Sequence, residues 1–127
     1  MNTSARLAQA MDLLERLESG APVKVQANFD AFSPEAAELV LGYAFADIVC
    51  REGIDLRTRE MLTVAMLAAL GTAPGQLEFH VRAALNTGVT REEIIEIVLQ
   101  VSVYAGVPAC MNAITAVKKV LAASKAV

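Results

Sequence analysis

The chain has 127 residues, of which 55% are hydrophobic and 20% charged, and its net charge is −3. An acidic chain without a run of basic residues is a poor partner for nucleic acid, so we exclude that class of function. The charged fraction is below the roughly 25% of typical soluble domains, and we therefore expect other subunits to cover part of the surface.

Apolar residues recur at helical spacing along the chain, and no segment alternates with the period of a strand. The pattern predicts an all-α, single-domain bundle of about six helices over residues 1–127. We place these helices at about 3–18, 34–51, 56–71, 74–87, 91–105 and 108–123. The segment 21–32 contains Pro22 but no clear period, and we expect an irregular connection or a short helical turn there.

Two of the predicted helices have specific start signals. Ser33 and Pro34 form a serine cap followed by a proline at the first helical position. Thr90 and Glu93 have the spacing of a capping box, in which the cap and the third helical residue exchange hydrogen bonds. The helix that follows is apolar nearly all round, which is typical of a buried, central helix.

The segment 97–117 has no charged residue and is long enough to cross a bilayer. Polar residues and the break at Gly106 and Pro108 favour two buried helices that meet at a turn. The N-terminus mixes charged and apolar residues, unlike a secretory signal. We therefore predict a cytoplasmic protein that does not interact with membranes.

The cysteines and the histidine exclude some chemistries. Cys50 and Cys110 form no CxxC motif, and we interpret them as small buried residues without a disulfide, although a redox role for either is left open. A single histidine with no HExxH motif and no Cys/His cluster predicts no metal site.

The stretch from Asp55 to His80 carries the candidate functional residues. His80 follows Gln76 by four positions, so both side chains project from one helical face. Arg57, Arg59 and Glu60 cluster at the start of the preceding helix, where cations are unfavourable unless they meet an anion. For these residues, a hydrogen-bonded core histidine and a solvated first turn remain alternatives.

A longer pattern resembles a known family. The order RxRE, an apolar helix ending in ALG, and then QLEFHVRAALNTGVTREEIIEIVLQVSVYAGVPACMNA resembles the carboxymuconolactone decarboxylase family of the alkylhydroperoxidase D-like superfamily. The resemblance covers about 44–121 and leaves an N-terminal helical extension at about 1–32. It implies an all-helical fold and a homo-oligomer, either a trimer or a hexamer.

The redox branch of the superfamily uses a CxxC pair, a glutamate and a histidine. The resemblance places that glutamate at Glu60 and the histidine at His80, while Ala73 and Gln76 stand at about the two cysteine positions. Because thiol peroxidase chemistry needs a reactive thiolate and a resolving thiol, we do not expect that activity.

The decarboxylase branch implies loss of carbon dioxide, without a cofactor, from a small carboxylated lactone in aromatic-compound breakdown. We expect His80 to donate the proton and Glu60 to orient or reprotonate it. The partner is then a small organic acid or lactone.

From the chemistry of such a ligand we add four candidate substrate-binding residues. Gln76 could hydrogen-bond the lactone, and Arg57 or Arg59 could hold a carboxylate. Tyr104, which precedes the Gly106 break, is a further candidate.

Two other functions remain open. The scaffold could serve a different small-molecule enzyme, such as an isomerase or a hydrolase, because a fold does not determine a reaction. Alternatively, the protein is a non-catalytic helical oligomer in which His80, Gln76 and Glu60 form a satisfied polar network.

Overall fold

The computed structural model describes residues 4–125, and its regular secondary structure in that range is helical. The predicted all-α class is therefore confirmed, while the start of the first helix at Thr3 lies outside the described residues. In chain order, the helices are α1 Ala5–Leu17, α2 Ala21–Phe32, a π-helix Ala37–Val49, α3 Leu56–Leu70, α4 Pro74–Asn86, α5 Arg91–Tyr104 and α6 Val107–Lys125.

The helix α2 was not predicted. Gly20 takes a left-handed conformation with φ of 84° after α1, and Pro22 stands in the first turn of α2. Among the residues of α2, only Ala21 is buried. The prediction of an irregular connection or a short helical turn was wrong, since the helix has 12 residues. A helix that buries one residue leaves no apolar period in its sequence.

The following helix starts later than predicted. The backbone N–H of Ser33 donates to the carbonyl of Phe29 at 3.0 Å, so Ser33 ends α2. Its hydroxyl also accepts the N–H of Glu35 at 3.4 Å, which is the bond of the predicted cap. The next helix begins at Ala37 and has the wider π-type hydrogen bonding, in which each N–H reaches the fifth residue back. The N–H of Cys50 and the carbonyl of Phe45, 2.9 Å apart, are one such pair.

The chain divides into two compact units at the boundary between Leu56 and Arg57. The first unit contains α1, α2 and the π-helix, and α1 packs against the π-helix. A single domain over 1–127 stays a prediction. The buried side chains of α1 share one face and are Leu7, Ala10, Leu13, Leu14 and Leu17.

The second unit contains most of α3 together with α4, α5 and α6, built around one apolar core. Residues of α3 and α4 such as Val64 and Val81 are fully buried there, and Ile94 of α5 joins them. Gly106, with φ of 100°, separates α5 from α6 and confirms the predicted break. Both cysteines are free thiols, and Cys110 lies in this core.

The sequence of α5 suggested a helix that is buried on all sides, but only one face of α5 is buried. Ile94, Val98 and Val101 face the core, whereas Leu99 and Val103 are exposed on another face, Val103 by 67%. An apolar sequence therefore does not show that every face of α5 is buried within a single chain, since the face with Leu99 and Val103 stays exposed. None of the helices within residues 4–125 is long and apolar enough to cross a bilayer.

Candidate active site

The functional candidates Glu60 and His80 meet inside the second unit. Oε1 of Glu60 on α3 lies 2.8 Å from Nδ1 of His80 on α4. The side chain of Glu60 is 1% exposed and that of His80 is 13% exposed. A buried carboxylate needs a polar partner, and the imidazole provides it.

The two helices place this pair through their buried stripes. The buried residues of α3 are Glu60, Val64 and Ala68, spaced four apart, so Glu60 lies on the core-facing side. On α4, Leu77 and Val81 are buried in the same core. His80 is adjacent to this stripe, which turns its imidazole towards α3.

The imidazole of His80 is held through one nitrogen. Nδ1 is bonded to Glu60, and the side chain of His80 is 13% exposed, so part of the ring reaches solvent. An imidazole fixed through one nitrogen and open at the other can transfer a proton at the open position.

Phe79 is a site residue that sequence reasoning missed. Its ring centroid lies 4.9 Å from that of His80, and the two planes meet at 87°, which is an edge-to-face contact. The guanidinium carbon of Arg82 lies 5.9 Å from the Phe79 ring centroid. The available signal was an aromatic residue directly before the only histidine.

Arg57 makes contacts of its own at the start of α3. Its Nε donates to the carbonyl of Gly88 at 3.1 Å, Nη1 lies 3.6 Å from the sulfur of Met61, and Nη2 donates to the carboxylate of Glu93. All three guanidinium nitrogens therefore have partners within the second unit.

Glu93 serves two purposes at the start of α5. Its Oε1 accepts the backbone N–H of Thr90 at 2.9 Å, while its own N–H donates to the Thr90 hydroxyl at 3.1 Å. These bonds confirm the predicted capping box. The backbone N–H of Thr90, followed by the guanidinium of Arg57, lowers the pKa of Glu93 below its ordinary value.

The other candidate residues are not brought together with His80 in the same way. Arg59 is partly buried in the first turn of α3, and Gln76 is exposed one turn before His80 on α4. Tyr104 is 95% exposed and, with Gln100, lines a cleft of about 490 Å³ between α3 and α5. The lining of this cleft does not include His80. Substrate-binding roles for Arg59, Gln76 and Tyr104 stay predictions.

Comparison with known proteins places the site in a family. The model of the carboxymuconolactone decarboxylase family matches residues 34–119, about two thirds of the chain. The chain belongs to this family. The carboxymuconolactone decarboxylase match includes both Glu60 and His80, whereas α1 and α2 precede it.

Three relatives extend the comparison. The chain is 37% identical over 82 residues to 4-carboxymuconolactone decarboxylase of Acinetobacter baylyi, covering 65% of this chain and 60% of that protein. It is 34% identical over 94 residues to nitrosuccinic acid decarboxylase of Metarhizium robertsii, which covers 74% of this chain and 65% of that protein. An uncharacterized 15.0 kDa protein of Paracoccus denitrificans is 40% identical over 73 residues, covering 57% and 54%. The chain thus spans less than two thirds of the length of each relative.

The local structure around His80 also bears on the redox branch. Ala73 is the residue before α4, and Gln76 lies in its first turn, so no thiol stands at either position. Cys110 is buried on α6, and Cys50 ends the π-helix in the first unit. Among residues 4–125, no group of three His, Cys, Asp or Glu side chains could hold a metal ion.

Proposed function

We propose that the chain is a carboxy-lyase that releases carbon dioxide from a small carboxylated lactone or a related acid, without a cofactor. The observation that carries this proposal is the buried Glu60 carboxylate bonded to Nδ1 of an imidazole that is partly exposed. Membership of the carboxymuconolactone decarboxylase family supports it, as do the names of two decarboxylase relatives.

The reaction needs an electron acceptor in the substrate and an acid in the protein. When the bond to the departing carboxylate breaks, its electron pair moves into the acceptor and carbon dioxide leaves. The resulting carbanion equivalent takes a proton from Nε2 of an imidazolium at His80. Glu60 neutralises that cation beforehand and keeps Nδ1–H bonded afterwards, so the ring does not turn during transfer.

The two named substrates indicate which acids qualify. In nitrosuccinic acid the nitro group, and in 4-carboxymuconolactone the unsaturated lactone, can accept the electron pair that decarboxylation leaves. Both compounds also keep a second carboxylate after the reaction. We propose that this chain takes acids with the same two features, an electron acceptor conjugated to the reacting carbon and a second carboxylate.

Three residues are proposed to contact such an acid. Gln76, one turn from His80 on α4, would hydrogen-bond the acceptor group. Arg59, in the first turn of α3, would pair with the second carboxylate. Tyr104 would close the site only if the α3–α5 cleft admits substrate.

The test follows consumption of 4-carboxymuconolactone and of nitrosuccinate by ultraviolet absorbance, with wild type and His80→Ala. We expect turnover of at least one acid by wild type and loss of about 10²-fold or more in kcat in the variant. Partial rescue of the variant by added imidazole would show that its kcat falls because the proton donor is missing. Turnover of neither acid contradicts the proposed substrates, and equal turnover by both proteins contradicts the role of His80.

We also propose a homo-oligomer. Each of three helices exposes an apolar stripe with a spacing of three to four residues. The stripes consist of Leu62, Met66 and Leu70 on α3, of Ile95, Leu99 and Val103 on α5, and of Val107, Met111 and Ile114 on α6. Apolar area of this extent is typical of a surface that another subunit covers. A trimer and a hexamer both accord with it.

A further inference from the structure

We infer that Arg57 is a positioning residue, which holds the helix of Glu60 against the end of the helix of His80, and not a substrate-binding residue. This inference rests on the proposed function in so far as it assigns a catalytic purpose to the Glu60–His80 pair.

The guanidinium of Arg57 joins three elements at one end of the second unit. Arg57 lies in the first turn of α3, three residues before Glu60. The carbonyl that it binds belongs to Gly88, two residues after α4 ends, and its carboxylate partner Glu93 lies in the first turn of α5. A change at Arg57 therefore frees the start of α3 from the turn that follows α4.

The stem of Arg57 contributes to the same contact. Gly88 has φ of 103°, a conformation that other residues rarely adopt. A Cβ on Gly88 would lie 3.7 Å from Cδ of Arg57, so the arginine stem packs directly over this turn. The position thus combines packing with two charge-assisted hydrogen bonds, one to a backbone carbonyl and one to a carboxylate.

Besides the bond between Glu60 and His80, α3 and α4 share an apolar core. Val64 and Ala68 of α3 share a core with Leu77 and Val81 of α4. Apolar contact is non-directional, so it holds two helices together without fixing their register to a fraction of an ångström. Hydrogen bonds with a fixed donor geometry do so, and Arg57 makes two of them three residues before Glu60 on α3.

Three of the five N–H donors of Arg57 are engaged. Nε, Nη1 and Nη2 each have a partner, and Glu93 neutralises the charge. A substrate carboxylate at Nη2 would compete with Glu93, which also accepts the N–H of Thr90 in the capping box of α5. The contacts of Arg57 within the second unit therefore favour a positioning role.

The first measurement uses the protein without substrate. His80 is the only histidine, so its imidazole signals in NMR spectra need no further assignment. We would compare wild type with Arg57→Gln and Glu93→Gln. The matched control is Arg91→Gln, whose guanidinium donates to the carbonyl of Leu121 at 3.0 Å.

We expect both Arg57→Gln and Glu93→Gln to speed exchange of the Nδ1 proton of His80 with water and to shift its ring protons, while Arg91→Gln leaves these signals as in wild type. Unchanged His80 signals in both test variants would overturn the inference, whether or not the protein decarboxylates any acid tested. If Arg57→Gln does not fold, Glu93→Gln alone decides, since it keeps the bond to Gly88.

The second measurement separates positioning from binding when an acid is turned over. A lost positioning contact lowers kcat by about tenfold or more and leaves KM within about twofold, because only the geometry of proton transfer changes. A large rise in KM with kcat unchanged, seen in Arg57→Gln and not in Glu93→Gln, would instead assign Arg57 to the substrate and overturn the inference.

Discussion

The carboxylate of Glu60 and the imidazole of His80 lie 2.8 Å apart, although they come from different helices and stand twenty residues apart in the chain. The carboxylate lies on a stripe of α3 that is otherwise apolar. Without the imidazole it would be a buried charge with no compensating bond. The imidazole therefore compensates the buried carboxylate through Nδ1.

Substitutions at Glu60 should separate stability from activity. Glu60→Gln keeps an oxygen that can accept from Nδ1, so we expect a loss of less than about 1 kcal/mol in the free energy of unfolding. Removing the negative charge should nevertheless lower kcat by about 10²-fold or more, because the imidazolium loses its counter-charge. Urea unfolding and steady-state kinetics measure the two effects.

The matched variant Glu60→Ala leaves Nδ1 unpaired and opens a cavity. We expect it to lower the free energy of unfolding by about 2–4 kcal/mol, more than Glu60→Gln does. Equal stability of the two variants would show that the fold does not depend on the bond to His80.

Phe79 should restrict the orientation of the imidazole. In Phe79→Leu the ring current at His80 disappears, so its ring-proton signals should shift in NMR spectra, and kcat should fall by less than about tenfold. Phe79→Tyr keeps the ring and should retain the wild-type shifts. His80 signals that are the same in wild type and Phe79→Leu would exclude the edge-to-face contact in solution.

The lowered pKa of Glu93 predicts a pH dependence of stability. Because Thr90 and Arg57 favour the ionised form in the folded chain, Glu93 stabilises the fold fully above its unfolded pKa, near 4.5. That contribution is lost as the pH falls through the lower, folded value. The melting temperatures of wild type and Glu93→Gln should thus differ at pH 6 and approach each other as the pH falls below about 4.5.

The control for this prediction is Glu92→Gln, which removes a neighbouring acid from the same first turn of α5. Glu92→Gln should change the melting temperature below about pH 6 less than Glu93→Gln does. A gap between wild type and Glu93→Gln that stays constant from pH 6 to pH 3 would contradict the assignment.

The position of the Arg6 side chain in the first unit should require a residue without a side chain at Gly42. A Cβ on Gly42 would lie 2.7 Å from Nη1 of Arg6, whose Nη2 donates to Asp47 at 2.8 Å. We expect Gly42→Ala to displace the guanidinium and to lower the melting temperature of wild type. In an Arg6→Met background the same change should have a smaller effect or raise it, since alanine favours helices over glycine. Identical shifts in both backgrounds would argue against this contact.

The exposed stripe of α5 should determine the oligomeric state. Leu99→Glu or Val103→Lys places a charge on an apolar face, so light scattering at micromolar concentration should give a smaller assembly than wild type. Glu96→Gln changes an exposed residue of the same helix and should leave the mass unchanged. A monomeric wild type would refute the oligomer itself.

Local signals in the sequence determined much of this protein. The capping box of Thr90 and Glu93, the proline start of α4 and the break at Gly106 depend on residues within one turn of each other, and the structure has all three. The pairing of Glu60 with His80 was anticipated only through the resemblance to a family, since no local pattern connects positions so far apart.

The tertiary structure decided the rest. The helix α2 has no apolar period because it buries only Ala21. On α5, the exposed stripe of Ile95, Leu99 and Val103 is as apolar as the buried face. Arg57 bonds to Gly88 and Glu93, which lie 31 and 36 residues away in the chain. A cation at the start of a helix does not show in the sequence which distant residues it will contact. Burial and long-range hydrogen bonds depend on how helices pack, and the spacing of residues along one helix does not contain that information.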